Sequence, residues 1–118
     1  MITVRRVHWD DVRDRLQETF EGDEQDIKAD VLAGIAECWE VGSAALIARM
    51  DGQELVLMCL AGSDLKEIAP AIMQAARKAG ATTMRFHTKR QALGRLLRVF
   101  GFEQSEVIFR ADLYGFEK

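Results

Sequence analysis

The spacing of apolar residues changes along this chain, and each change marks an element. Ile2, Val4 and Val7, with Thr3, Arg5 and Arg6 between them, predict a short first strand. Trp9, Val12, Leu16 and Phe20 then fall three or four apart, on one face of a helix. Asp10, Asp11 and Asp14 stand in its opening turns, where acids suit the helix dipole, and Asp10 is the expected N-cap. Beyond Gly22, Ile27, Val31 and Leu32 predict a second, shorter helix, capped by Asp23 and closed by Gly34.

From Ile35 the period shortens to two. Ala36, Cys38 and Glu40 alternate with Glu37, Trp39 and Val41 in a strand that ends at Gly42 and Ser43. A second strand covers residues 44–50. Asp51 and Gly52, between two apolar runs, predict a two-residue hairpin turn. The third strand, residues 53–60, contains six consecutive apolar residues from Leu55 to Leu60, so it is expected to be central and buried on both faces.

Helical spacing returns at Leu65, Ile68, Ile72, Met73 and Ala76, and Gly80 ends that helix. Pro70 falls inside the pattern, so the helix either starts near it or is preceded by an irregular turn. Residues 82–88 predict a strand with Met84 and Phe86 on one face and Arg85 and His87 on the other. Leu93, Leu96, Leu97 and Phe100 predict a further helix stopped by Gly101, and Val107, Phe109 and Ala111 a last strand. The order is β-α-α-β-β-β-α-β-α-β, within one domain covering residues 1–118. A helix joining two adjacent strands implies a parallel pair with a right-handed crossover. The expected class is α+β, a mixed, mainly antiparallel twisted sheet with a central parallel pair and about four helices.

Composition narrows the picture in three ways. At 118 residues and 48% apolar content the chain can bury a core without staples. Cys38 and Cys59 lie inside apolar runs and outside any C-x-x-C pair, which suits reduced, buried thiols in a cytoplasmic protein. The N-terminus has no positive-then-apolar leader pattern, and no apolar run is long enough to span a membrane. The net charge of −3 is unevenly spread: the first 64 residues carry six Lys/Arg against fourteen Asp/Glu, the remainder ten against five. That basic half is too modest to make nucleic acid an expected partner.

The element order, with two local sequences, resembles the GNAT acyltransferase superfamily. Arg98, Val99, Phe100, Gly101 and Phe102 look like the family's ending Y-x-x-x-G-F. The stretch opened by Gly80, continuing Ala-Thr-Thr-Met-Arg-Phe to His87, looks like its glycine and parallel strand after the main helix. The resemblance covers the chain from Ile2 to about Leu113. It implies acetyl-CoA as cosubstrate, held on a turn of the form Q/R-x-x-G-x-G/A before that helix. Here the turn lies over residues 60–65, with Leu60, Ser63 and Leu65 at the three motif positions and Gly62 one place away. The implied cofactor-binding residues are Met58, Leu60, Gly62, Ser63 and Lys66. The family's general acid is a tyrosine four residues before the glycine of Gly-Phe, and that position is Leu97. The chain's size, Trp39-Glu-Val and His87-Thr-x-Arg also resemble small GNAT-like bacteriophage proteins, some of them virion components.

The candidate catalytic residues are His87, at the end of the parallel strand, and Glu54, an acid on the meander that would face an amine, as would Glu37 and Glu40. Arg85, Lys89, Arg90, Arg95 and Arg98 form a basic group suited to a phosphate or an acidic partner. His8, His87, Cys38 and Cys59 lack metal-ligand spacing, and Ser43, Ser63 and Ser105 lie in no nucleophile motif. Leucines at the motif positions favour a GNAT-like protein that kept the fold and lost the chemistry, an interaction or virion-associated protein of phage or prophage origin. The alternative is an acetyl-CoA-dependent N-acyltransferase acting on an amine. A binder of anions or nucleic acid ranks third.

Overall fold

Alternating apolar positions and tight turns assemble a seven-stranded mixed sheet among the described residues. The structure is a computed structural model describing residues 2–20, 22–63, 65–87, 103–105 and 108–113; for Leu65, His87 and strand residues 103–112 it describes the backbone. The strands are β1 (Val4–Val7), β2 (Ala36–Val41), β3 (Ala44–Asp51), β4 (Glu54–Ala61), β5 (Thr83–His87), β6 (Glu103–Ser105) and β7 (Ile108–Asp112). The helices are α1 (Trp9–Leu16), α2 (Glu24–Leu32) and α3 (Leu65–Lys78), with a 3₁₀ turn at Gln17–Thr19. The spatial order is β1-β2-β3-β4-β5-β7-β6. Every neighbouring pair is antiparallel except β4 and β5, which run parallel on either side of α3 as a crossover demands.

The central strands are apolar on both sides because each face has its own layer. Trp39, Val41, Leu46, Leu57, Met84 and Phe86 pack against Ile68, Ile72, Met73 and Ala76 of α3. Cys38, Ala45, Ile47 and Cys59 pack on the other face against Trp9, Val12 and Leu16 of α1 and Ile27 of α2. A large apolar side chain fully buried in either layer contributes about 1.5–3 kcal/mol, so these two layers, rather than helix propensity, hold the short helices. Trp9 stacks on Phe20 with ring centroids 5.7 Å apart, which ties the chain after the 3₁₀ turn back to the first residue of α1.

Several expectations are corrected. The last part of the order differs: two antiparallel strands, β6 and β7, stand where one was expected. Among the described residues there are three α-helices, and the fourth expected helix, around Leu93 to Phe100, lies outside them. The β3–β4 hairpin turns at Gly52 and Gln53, one residue later than expected, since Asp51 pairs with Glu54. Gly52 takes φ +64°, at the first turn position where primed turns need it. The cap of α1 is His8, whose backbone N–H donates to Asp11 Oδ2 at 2.9 Å. Leu32 faces solvent at 72% exposure, because only Ile27, and in part Val31, reach the sheet from α2. Pro70 sits inside α3, which starts five residues earlier at Leu65. Burial of Ile68 fixes that first turn despite the bond Pro70 cannot donate.

Candidate functional site

The uninterrupted run in β4 conceals a slip of one residue. Ile47 pairs with Cys59 but the next residue, Ala48, pairs with Leu57, so Met58 is an extra residue bulged out of the ladder. Its consequence is visible in the packing. Met58 and its neighbour Cys59 both lie with the α1/α2 layer, while Leu57 and Leu60 lie with α3. The bulge coincides with the end of the parallel pairing: β4 and β5 are in register from Glu54–Thr83 to Leu57–Phe86 and no further. Past that level β5 keeps its partner β7, His87 pairing with Ile108, while β4 runs on to Ala61. Among the described residues, the β5-facing edge of Met58, Cys59 and Leu60 has no strand partner. Two neighbouring strands thus part at the carboxyl end of a parallel pair, where open sheets take ligands.

The open edge leads directly into the turn before α3. Gly62 adopts φ +153°, and a Cβ there would lie 2.7 Å from Ala44 Cα and 2.9 Å from Ala44 Cβ. The glycine is therefore demanded by close approach of β3, whatever else the turn does. Ser43, in the β2–β3 turn, donates through Oγ to the Ser63 carbonyl at 3.1 Å. Arg15 of α1 in turn donates to the Ser43 carbonyl at 2.7 Å and pairs with Glu40 at 2.6 Å. The joint is thus tied to three other elements. Gly62, Ser63 and Lys66 are exposed at the start of α3, where unpaired N–H groups and the helix dipole favour an anion. Lys66 works against the dipole at this end, so an anion would be served by both.

The structure brings Met58, Leu60, Gly62, Ser63 and Lys66 along one continuous path from the parting of the strands to the first turn of α3. His87 continues β5 one residue past the last β4–β5 pair, which puts its backbone beside the bulge; its side chain lies outside the described residues. Glu54 stands at the opposite end of β4, four residues from Met58, or about 13 Å at the rise of an extended strand. There it accepts from Thr83 Oγ1 at 3.0 Å and lies 3.5 Å from Arg85. Glu37 accepts from Trp39 Nε1 at 3.0 Å and pairs with Arg6, and Glu40 is held by Arg5 and Arg15. Of the basic group, only Arg85 is within the described residues, and it is largely enclosed between Asp51 and Glu54. Leu97 and Tyr114 lie outside them. No cluster suited to a metal occurs among the described residues. The bulge at Met58 was not foreseen, since a run of six apolar residues has no alternation in which a slip could show.

No protein-family model and no curated protein matches the chain in sequence. Solved structures do match in fold. The ribosomal-protein-S18-alanine N-acetyltransferase from Escherichia coli superposes with a TM-score of 0.74 at 14% identity, over 96% of this chain and 94% of that one. An acetyltransferase from Bacillus subtilis in complex with CoA gives 0.72 at 14% identity, over 95% and 99%. The PaiA N-acetyltransferase from Thermoplasma acidophilum, in complex with coenzyme A, gives 0.64 at 10% identity, over 95% and 99%. These superpositions, each over 95% or more of the chain, show that it has the fold of the GNAT acetyltransferases.

Proposed function

We propose that the protein is an acyl-CoA-dependent N-acyltransferase. The observation that carries this reading is the edge of β4 between Met58 and Leu60, unpaired among the described residues, opening at the bulge and ending at the first turn of α3. An extended chain of amides can pair with such an edge as a strand would, and a pyrophosphate suits the helix N-terminus at its far end. A CoA thioester has both parts in this order and supplies the activated acyl group. Gly62, Ser63 and Lys66 would hold its phosphates, and Met58 to Leu60 its amide arm. The backbone of the turn would approach the phosphates less closely than a glycine-rich one, because Ser63 and Leu65 occupy the family's glycine positions.

On the α3 side the parting is backed by Leu57, Leu60 and Phe86, each at most 7% exposed. The acceptor amine therefore comes from the α1/α2 side. Its nitrogen forms the C–N bond, the C–S bond breaks, CoA leaves as the thiolate, and the ammonium proton passes to a base or to water. His87 is the residue proposed to take that proton, from its place beside the bulge; Glu54, at the other end of β4, has no part in this reading. With Leu97 at the tyrosine position, the thiolate is left to solvent, which a leaving thiol with a pKa of about 8.5 tolerates.

The reading is tested by thermal unfolding with acetyl-CoA and with CoA. Saturation at 100 times Kd stabilises by about 2.7 kcal/mol and raises Tm by several degrees. Release of CoA thiol over a panel of amines then identifies the acceptor. Absence of any shift at millimolar ligand would overturn the acyltransferase and leave the second reading, a GNAT fold without the chemistry, which Ser63 and Leu65 favour. A phage or virion role draws no support from the fold.

A further inference from the structure

The same parting of strands limits the size of the acyl group, and one side chain stands at the limit. If the arm of a CoA thioester runs down β4 from the Gly62 turn, it stops where the slot closes, at the Leu57–Phe86 pair. The thioester then lies at Met58. From there the acyl group has two directions open to it. On the α3 side stand Leu57, Leu60, Phe86 and Met73, between 1% and 7% exposed, in a core packed as densely as an organic crystal. On the α1/α2 side stands Met58 itself. It is half-buried, whereas Leu57 and Cys59 on either side of it are each 2% exposed. The bulge causes this, because an extra residue is turned out of the ladder onto the face already occupied by Cys59.

We propose that Met58 is the specificity-determining residue for acyl length, the side chain that limits how far an acyl group extends beyond the thioester. The inference rests on the acyltransferase reading. Behind Met58, Ala45, Ile47 and Cys59 are sealed under α1, so a longer chain gains room only by displacing the methionine or by losing its own burial. Methionine is unbranched and adapts to its surroundings, which makes the limit graded across successive methylenes.

The experiment compares the affinities of acetyl-, propionyl-, butyryl- and hexanoyl-CoA for the wild type, Met58→Ala and Met58→Phe, by calorimetric titration. A ratio of affinities cancels any general change in binding. The wild type is expected to favour acetyl- over butyryl-CoA by roughly tenfold or more, the scale on which pockets discriminate methylenes. Met58→Ala should bring that ratio towards one, and Met58→Phe should extend the discrimination to propionyl-CoA. Met58→Leu, of similar volume, should keep the wild-type ratio, which separates size from loss of structure. Wild-type binding with ratios unmoved by Ala and Phe would overturn the inference while leaving the acyltransferase reading intact. A wild type that binds none of the thioesters would overturn that reading, and the inference with it.

Discussion

Gly62 answers to a different constraint in the folded protein from the one its sequence neighbours suggest. In sequence it is the surviving glycine near a phosphate-binding motif, displaced by one place. In the structure its missing Cβ is required by Ala44, 2.7 Å away across the β3–β4 ladder, and by a backbone angle of +153° that side chains rarely adopt. Gly62→Ala should therefore destabilise the fold by about 2 kcal/mol or more, through backbone strain and collision together. Urea unfolding checks this: a midpoint within error of the wild type would show that β3 can yield. The acids that looked catalytic change meaning in the same way. Glu37 and Glu40 are engaged by Arg6, Arg5 and Arg15, and Glu54 by Thr83 and Arg85. A carboxylate's partner across a sheet is distant in sequence, so composition alone could not reveal these pairings.

Among elements, α3 and β4 carry the lesson. The apolar stripe of α3 was legible, because Ile68, Ile72, Met73 and Ala76 keep the helical period and are all buried. Its starting point was not, because a proline ordinarily stands in the first turn, and here five helical residues precede it. Pro70 lacks the N–H that would bond to the Lys66 carbonyl, and its ring crowds the preceding turn. Pro70→Ala should stabilise the protein by about 1–2 kcal/mol, less than the full penalty for an interior proline because the proline also restrains the unfolded chain. Equilibrium denaturation with an unchanged slope is the measurement; a loss of stability would mean that the ring's packing outweighs the missing bond. β4 was legible as a central strand for the same reason that its bulge was not: a run buried on both faces satisfies either register.

For the whole molecule, the two buried thiols tie stability to pH. Burial pushes Cys38 and Cys59 from the ordinary 9.0 up to about 11, with nearby Asp11 and Asp23 adding in the same direction. A folded state that holds these protons more tightly than the unfolded chain keeps its full contribution below about pH 9. It loses that contribution as pH rises through about 11. Thermal unfolding from pH 7 to 11 should show Tm falling at the alkaline end, and falling less in a Cys38→Ala/Cys59→Ala variant. Equal losses in both proteins would assign the effect to other groups. The same burial predicts little thiol reaction in the native state, which keeps the background low when released CoA thiol is assayed.

By itself the sequence determined the class of fold, the central place of β4, the crossover through α3 and the apolar face of each of the three helices except at Leu32. Those features follow from periodicity and turn chemistry, which act over neighbouring residues. Only the tertiary structure decided where β4 and β5 part, that Met58 is the residue expelled there, that Gly62 answers to Ala44, and which acids are already paired. Each of these depends on residues brought together from separate strands, and register between strands is a property of the assembled sheet that no local pattern contains.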